Sequence, residues 1–274
     1  MFFNSHRLRD RQEGLDRLKH LFKEKNKILV IHYSCESFIT SHGKTPRVTS
    51  ISIRHYESGQ TTSFSIHLQA QFDKKDINNL TDSDYDELEK KMLDEFYKYL
   101  EKNKDCKWVH WKMRDSNYGF QAIANRYKIL GGKANEIDED KKYDISRILV
   151  DLYTSKYELD KPDGKMLNLA NRNHLTVMDA LKGSEESKAF ENKEYLILHK
   201  SALRKVGVIS TILELTYKSE LKVASSKAKI YGLTVPGIIE IVKNNWILLG
   251  IWSIVIFLLG TFAQNIINAL IKGN

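Results

Sequence analysis

The sequence predicts an α/β domain built on a mixed five-stranded sheet with flanking helices, followed by one C-terminal helix that crosses a membrane. Three observations lead there. Near the N-terminus an apolar run is followed by two runs in which β-branched and aromatic residues alternate with polar ones. Further apolar runs then alternate with segments of helical period. Finally, no residue from Asn244 to Ile271 is charged, and Lys243 and Lys272 bracket that stretch.

Residues 1–25 carry leucines and Phe22 at helical spacing, which predicts an amphipathic leading helix. The segment is charged throughout and lacks the apolar centre of a signal peptide. KILVIHYS (27–34) is a first strand, and RVTSISIRHY (47–56) and TTSFSIHL (61–68) continue it as a meander, with ESGQ as a turn. Residues 81–103 open on Thr81 and Asp82 as N-cap candidates and place Leu88, Met92, Phe96 and Leu100 on one helical face. CKWVHWKM (106–113) is a fourth strand, and NYGFQAIANRYKIL (117–130) a helix ended by Gly131 and Gly132. KYDIS is a short fifth strand that feeds the helix SRILVDLYTSKY. The domain therefore covers 26–215. A connector follows over 216–243, in which SSKAK (225–229) is polar and basic and Pro236 marks the junction with the membrane helix of 244–271.

Lys and Arg number 43 against 35 Asp and Glu, a formal net charge of +8, nearly all before the membrane helix. The positive-inside rule then places the large N-terminal part in the cytoplasm as a single-pass protein. Cys35 and Cys106 are too few for a disulfide framework, and no CxxC or clustered Cys/His spacing suggests zinc. No cofactor is expected.

Two segments concentrate binding chemistry. VHWKMRDSNYGF joins the aromatic residues Trp111 and Tyr118 to Lys112, Arg114 and Asn117 at a strand end and helix start. Aromatic faces stack bases, cations pair phosphates, and a helix N-terminus near Asn117 receives an anion. LHKSALRKV places His199, Arg204 and Lys205 on one long helix. The plainer reading is that His32, His110 and His199 are packed or surface histidines and that Arg204 and Lys205 face solvent.

The order of elements and these motifs resemble the ribonuclease H-like fold of DEDD-type 3′–5′ exonucleases, the DnaQ-like branch, over residues 25–215. In that family a first strand ends in D-x-E, a fourth leads to H-N-x-x-F-D, and a late helix carries H-x-A-x-x-D. Their four carboxylates hold two divalent metals. Here the first motif reads ILVIHYSCESF, so one register puts His32 and Ser34 in the acid places and the other keeps only Glu36. The second, HWKMRD, keeps Asp115. The third is either His174 with Asp179 or, as favoured, His199 with Arg204 or Lys205 in the Asp place. A cation there opposes metal binding by on the order of several kcal/mol at an effective dielectric near 20, yet suits a phosphate. The resemblance thus implies a pseudo-exonuclease with no catalytic residue. Its nucleic-acid groove would be formed by Tyr33, Ser34, His110, Trp111, Lys112, Arg114, Asn117, Tyr118, His199, Arg204 and Lys205.

In architecture the chain also resembles the membrane subunit of Hailong-type bacterial antiphage defence. That resemblance implies an inner-membrane channel, shut by single-stranded DNA oligomers that a partner nucleotidyltransferase makes. Along the membrane helix Trp246, Gly250, Ser253, Phe257, Gly260, Thr261, Gln264 and Asn268 fall within an arc of about 100°. A pore needs a closed homo-oligomer, a tetramer being favoured, with Ser253, Phe257, Thr261, Gln264 and Asn268 lining it and Phe257 as its narrow point. A dry helix–helix interface gives the same stripe. Two further functions compete: a membrane-anchored exonuclease using Asp115, Asp179, Glu36 and Asp144, and a non-enzymatic scaffold.

Overall fold

The computed structural model describes residues 6–37 and 45–272. Five strands form one sheet: β1 Ile28–Cys35, β2 Val48–His55, β3 Thr61–Ser65, β4 Lys107–His110 and β5 Lys142–Asp144, in the order β3-β2-β1-β4-β5. β1 is antiparallel to β2 and β2 to β3, while β4 runs parallel to β1 and β5 to β4. Short connections allow the first, and helical crossovers the second.

Among the described residues eleven α-helices accompany the sheet: α1 His6–Leu21, α2 Ile66–Phe72, α3 Asp82–Lys102, α4 Phe120–Ile129, α5 Ile145–Tyr153, α6 Lys165–Arg172, α7 Gly183–Glu191, α8 Tyr195–Tyr217, α9 Lys227–Tyr231, α10 Val235–Lys243 and α11 Trp246–Lys272. β1 is central, so both its faces are covered. Leu29, Ile31 and Tyr33 pack with α3 and α4 residues such as Met92, Phe96 and Ile123. Ile28 and Val30 pack on the other side with Leu18 and Leu21 of α1, Leu149 of α5 and Ile209 of α8. Apolar side chains cover both faces of β1, which therefore reads as a continuous apolar run; β2 is buried from Val48 to Ile53 as well, but its buried residues include Thr49, Ser50 and Ser52, so it reads as alternating.

α3 shows its sequence logic directly. The Thr81 hydroxyl accepts from the Asp84 amide and the Asp84 carboxylate accepts from the Thr81 amide, a capping box. Its apolar face buries Leu88, Met92, Phe96 and Leu100 as the spacing predicts. The same face also buries Glu89, which accepts from Arg126 and from the Val48 amide, with the Arg47 guanidinium at 3.6 Å. Burial pushes the Glu89 carboxyl up to about 7 against the pull of these arginines. Arg126→Ala strips the closest cation from a buried carboxylate, so a loss of roughly 3–5 kcal/mol is expected in equilibrium unfolding. A loss below about 1 kcal/mol, the size of an exposed pair, would contradict that role.

Four elements have bounds other than their sequence pattern suggests. α5 stops at Tyr153 rather than 157, where Thr154 adopts φ +74°. β3 stops at Ser65, because Ile66 and Ala70, a helical turn apart, bury themselves as α2. β4 stops at His110 rather than 113: Lys112 adopts φ +56°, and the Met113 amide donates to His110 Nδ1, which turns the chain out of the sheet. α4 starts at Phe120 rather than Asn117. Residues 115–118 form a tight turn closed by the Asp115 amide on the Tyr118 carbonyl, and Gly119 has φ +154°. A Cβ at Gly119 would stand 2.4 Å from the Met113 carbonyl oxygen, so only glycine fits.

α1 packs against α5, where Arg7 and Arg11 donate to the carbonyls of Asp151 and Leu152. Pro236 lies in the first turn of α10, after the Thr234 cap, where its missing N–H costs nothing. α11 has a 21-residue stretch, Trp246–Ile266, that is long and apolar enough to cross a membrane and is wholly unburied. At 1.5 Å per residue it spans roughly 30 Å.

Candidate ligand cavity

A cavity of about 540 Å³ opens where β1 and β4 end. Tyr33, Ser34 and Cys35 of β1, Trp111 and Lys112 beyond β4, and Tyr118 form one side; α7 and α8 supply Glu186 and Lys205. The start of α6 and the loop before α7 add Lys165 and Lys182.

The floor is a buried ionic cluster. Lys205 Nζ lies 2.8 Å from Glu186 Oε2, with both side chains about 5% exposed or less. The Ser201 hydroxyl donates to Glu186 Oε1 at 2.6 Å. His32 Nε2 stands 3.6 Å from the same carboxylate, beyond hydrogen-bond distance, and has no other partner. Burial and the nearby Lys205 charge hold the His32 imidazole below its ordinary pKa, so it is neutral at physiological pH. Burial pushes the Glu186 carboxyl up, but the Lys205 ammonium against it outweighs that and holds the carboxyl down. The cluster is therefore a carboxylate with an ammonium as its counterion.

Helix geometry explains why Lys205 and not Arg204 reaches the cavity. The two side chains are about 100° apart on α8. Lys205 shares the inward face with Ser201, one turn earlier. Arg204 points into a separate cleft lined by Arg54, His174, Asp179 and Lys200, and pairs with Asp179 at 3.2 Å. His174 and Asp179 of one reading of the third motif thus meet Arg204 of the other in that cleft. His199 packs its ring against His67 and lines no described cavity.

The aromatic wall is preassembled. The rings of Tyr33 and Tyr118 stack at 4.6 Å, the Tyr118 hydroxyl donates to the Tyr33 carbonyl, and the Gly119 amide donates to the Tyr33 hydroxyl. Burial pushes both phenols well up, so the wall is neutral. Trp111 is buried and packs edge-on against Tyr157. Burial pushes the Cys35 thiol up to about 12, which removes it as a nucleophile at neutral pH.

The remaining expected residues lie elsewhere. His110 and Arg114 line a neighbouring cavity of about 630 Å³ beside β5. His110 is buried, and that burial holds its imidazole down to about 4. Arg114 pairs with Asp144 at 2.7 Å. Asn117 sits in the exposed turn, its amide donating to Asp115 Oδ1, three residues before α4 begins. A phosphate at the α4 N-terminus would therefore meet Gly119 and Phe120 instead.

The acids that a two-metal exonuclease would use are dispersed. Glu36 pairs with Arg47, Asp144 caps α5 while holding Arg114, and Asp179 holds Arg204. Among the described residues no group of three or more His, Cys, Asp or Glu side chains is arranged to hold a metal. The cavity floor does not fit two divalent cations either, since Lys205 occupies the Glu186 oxygen that would face them. Sequence reasoning passed over Glu186, Ser201, Lys165 and Lys182. Glu185 and Glu186 are indistinguishable in GSEESKAFE until the fold buries one of them.

Comparison with protein-family models, curated proteins and solved structures returns no match for this chain.

Proposed function

We propose that the chain is a membrane effector of bacterial antiphage defence. Its cytosolic pseudo-exonuclease domain binds single-stranded DNA or a short oligonucleotide and gates a homo-oligomeric ion channel, a tetramer, formed by α11 in the inner membrane. The observation that carries this reading is the Lys205–Glu186–His32 cluster at the end of β1. It joins the first strand to the late helix, as the carboxylate centre does in DEDD exonucleases, but with an ammonium in a carboxylate's place. The strand order β3-β2-β1-β4-β5, with β2 alone antiparallel to its neighbours, supports the ribonuclease H-like assignment.

In this reading the floor cluster holds β1, α7 and α8 together, while Lys112, Lys165 and Lys182 stand at the rim, Lys165 donating to the Ser155 carbonyl and Lys182 paired with Asp163 at 2.8 Å, contacts that a phosphate would compete for. The Tyr33–Tyr118 stack offers a flat neutral wall. α8 runs on towards the connector, so a ligand that shifts α7 against α8 changes what reaches α11. One α11 helix cannot enclose a pore. Trp246, Gly250, Ser253, Phe257, Gly260, Thr261, Gln264 and Asn268 share one face and are exposed in the single chain, available to other copies.

Fluorescence anisotropy on the full chain in detergent tests the ligand. Labelled single-stranded oligonucleotides should bind and stay intact with magnesium or manganese. A Lys112, Lys165, Lys182 triple alanine variant should bind weakly and lower the salt slope by about 0.7 per lost phosphate contact. Full affinity in that variant would rule out this cavity. Shortening of the oligonucleotide would favour the anchored exonuclease.

A further inference from the structure

Among the described residues α10 leaves an apolar face without a partner, and its position says what covers it. At 100° per residue Val235, Ile238, Ile239 and Val242 fall within an arc of about 100°. The first three are each 44–47% exposed, and Leu233 just before them is 76% exposed. Gly237 lies on the opposite side, so close to the end of α9 that a Cβ there would stand 2.4 Å from the Gly232 carbonyl oxygen. α10 therefore hangs from the domain by its glycine side and turns its aliphatic side away from it. α9 is itself fixed, since Arg7 donates to the Ile230 carbonyl and the Arg11 guanidinium covers the Tyr231 ring.

We propose that α10 lies flat in the membrane surface, with Leu233, Val235, Ile238, Ile239 and Val242 among the lipid chains just beneath the headgroups. Continuity selects lipid as the occupant. α10 ends at Lys243 and α11 begins at Trp246, so the bilayer surface lies within a turn of the exposed stripe. Trp246 stands at the start of the apolar stretch, where an indole suits the headgroup level. Charge agrees: Lys222, Lys227, Lys229 and Lys243 are exposed within 222–243, where Glu240, paired with Lys243 at 3.2 Å, is the one acid. Such lysines favour anionic headgroups, and a short helix with an apolar stripe and basic flanks is the form interfacial helices take. The consequence is mechanical. The domain is then held against the bilayer by a rigid corner, α9–α10–α11, instead of a loose tether, and a tilt of the domain is delivered to α11 as a lever.

This proposal rests on the reading that α11 spans the bilayer, and the test separates the two. The full chain, with Cys35 and Cys106 replaced by serine, receives one nitroxide-labelled cysteine as Ile239→Cys, Glu240→Cys or Ile254→Cys. It is reconstituted in nanodiscs of phosphatidylcholine with phosphatidylglycerol. Collision of the label with oxygen, which concentrates in lipid, is compared with collision with a water-soluble nickel chelate. The Ile239 label should favour oxygen at a depth shallower than the Ile254 label, and the Glu240 label should favour nickel. If Ile254 reports lipid while Ile239 reports water, the surface helix is wrong and the span stands. If Ile239 is shielded from both reagents and its spectrum is broadened by a second nitroxide, another copy covers the stripe and the proposal is overturned. If Ile254 also reports water, the membrane reading itself fails.

Discussion

Glu186→Ala is expected to cost the soluble domain roughly 3–5 kcal/mol, the size of effect seen when one partner of a buried pair is removed. The variant leaves the Lys205 ammonium, about 5% exposed, without its carboxylate and the Ser201 hydroxyl without its acceptor. The double variant Glu186→Ala with Lys205→Met removes both charges, and a methionine side chain matches the lysine stem. It should recover most of that loss. Equilibrium unfolding of the wild type and both variants checks this. Equal losses in the single and double variants would show that the pair does not act as a unit. The comparison also separates fold from binding. If the cluster only frames the cavity, the double variant folds and still binds through the lysine rim.

Truncation after Lys243 is expected to move the protein from a carbonate-resistant membrane fraction to one that alkaline carbonate strips. The truncation removes a 21-residue apolar stretch with no burial against the domain. A helix of that length supplies far more transfer free energy than the exposed stripe of α10 can, since interfacial helices bind reversibly. Full-length chain that leaves the membrane in carbonate would contradict the spanning role of α11.

Much of the architecture was legible in sequence because its causes are local. The α3 capping box, its apolar face and the uncharged stretch of α11 are periodic or compositional signals. The double burial of β1 was legible as a continuous apolar run. The misread boundaries have non-local causes. Nothing in TTSFSIHL announces that Ile66 and Ala70 find a pocket against the sheet and α3, and nothing in HWKM announces the positive φ of Lys112. The site was half legible. Tyr33, Ser34, Trp111, Lys112, Tyr118 and Lys205 come together around one cavity. His110, Arg114, His199 and Arg204 do not, because a 100° step on a helix or a one-residue step past a strand end turns a side chain to another face. Glu186, at the centre of the cluster, was invisible because its role depends on Lys205 and His32 arriving from elements distant in sequence.

The proposed gating would set an energetic requirement on the ligand. Moving a two-state channel from 1:99 to 99:1 takes a preference of about 5.5 kcal/mol for one state. A single phosphate–lysine contact at the cavity rim falls short of that, whereas an oligonucleotide bound across several subunits multiplies the contacts. The proposed corner at α9–α10–α11 would carry that difference to α11 more directly than a loose connector.

Ion flux through proteoliposomes carrying the full chain, measured while single-stranded oligonucleotide is titrated from the domain side, tests the central claim most directly. The account predicts flux in the absence of oligonucleotide, closure as it binds, no closure in the Lys112, Lys165, Lys182 triple alanine variant, and persistent leak in Phe257→Asp. Proteoliposomes that stay electrically silent under every oligonucleotide condition, with the protein inserted and folded, would contradict it and leave a membrane-anchored scaffold in its place.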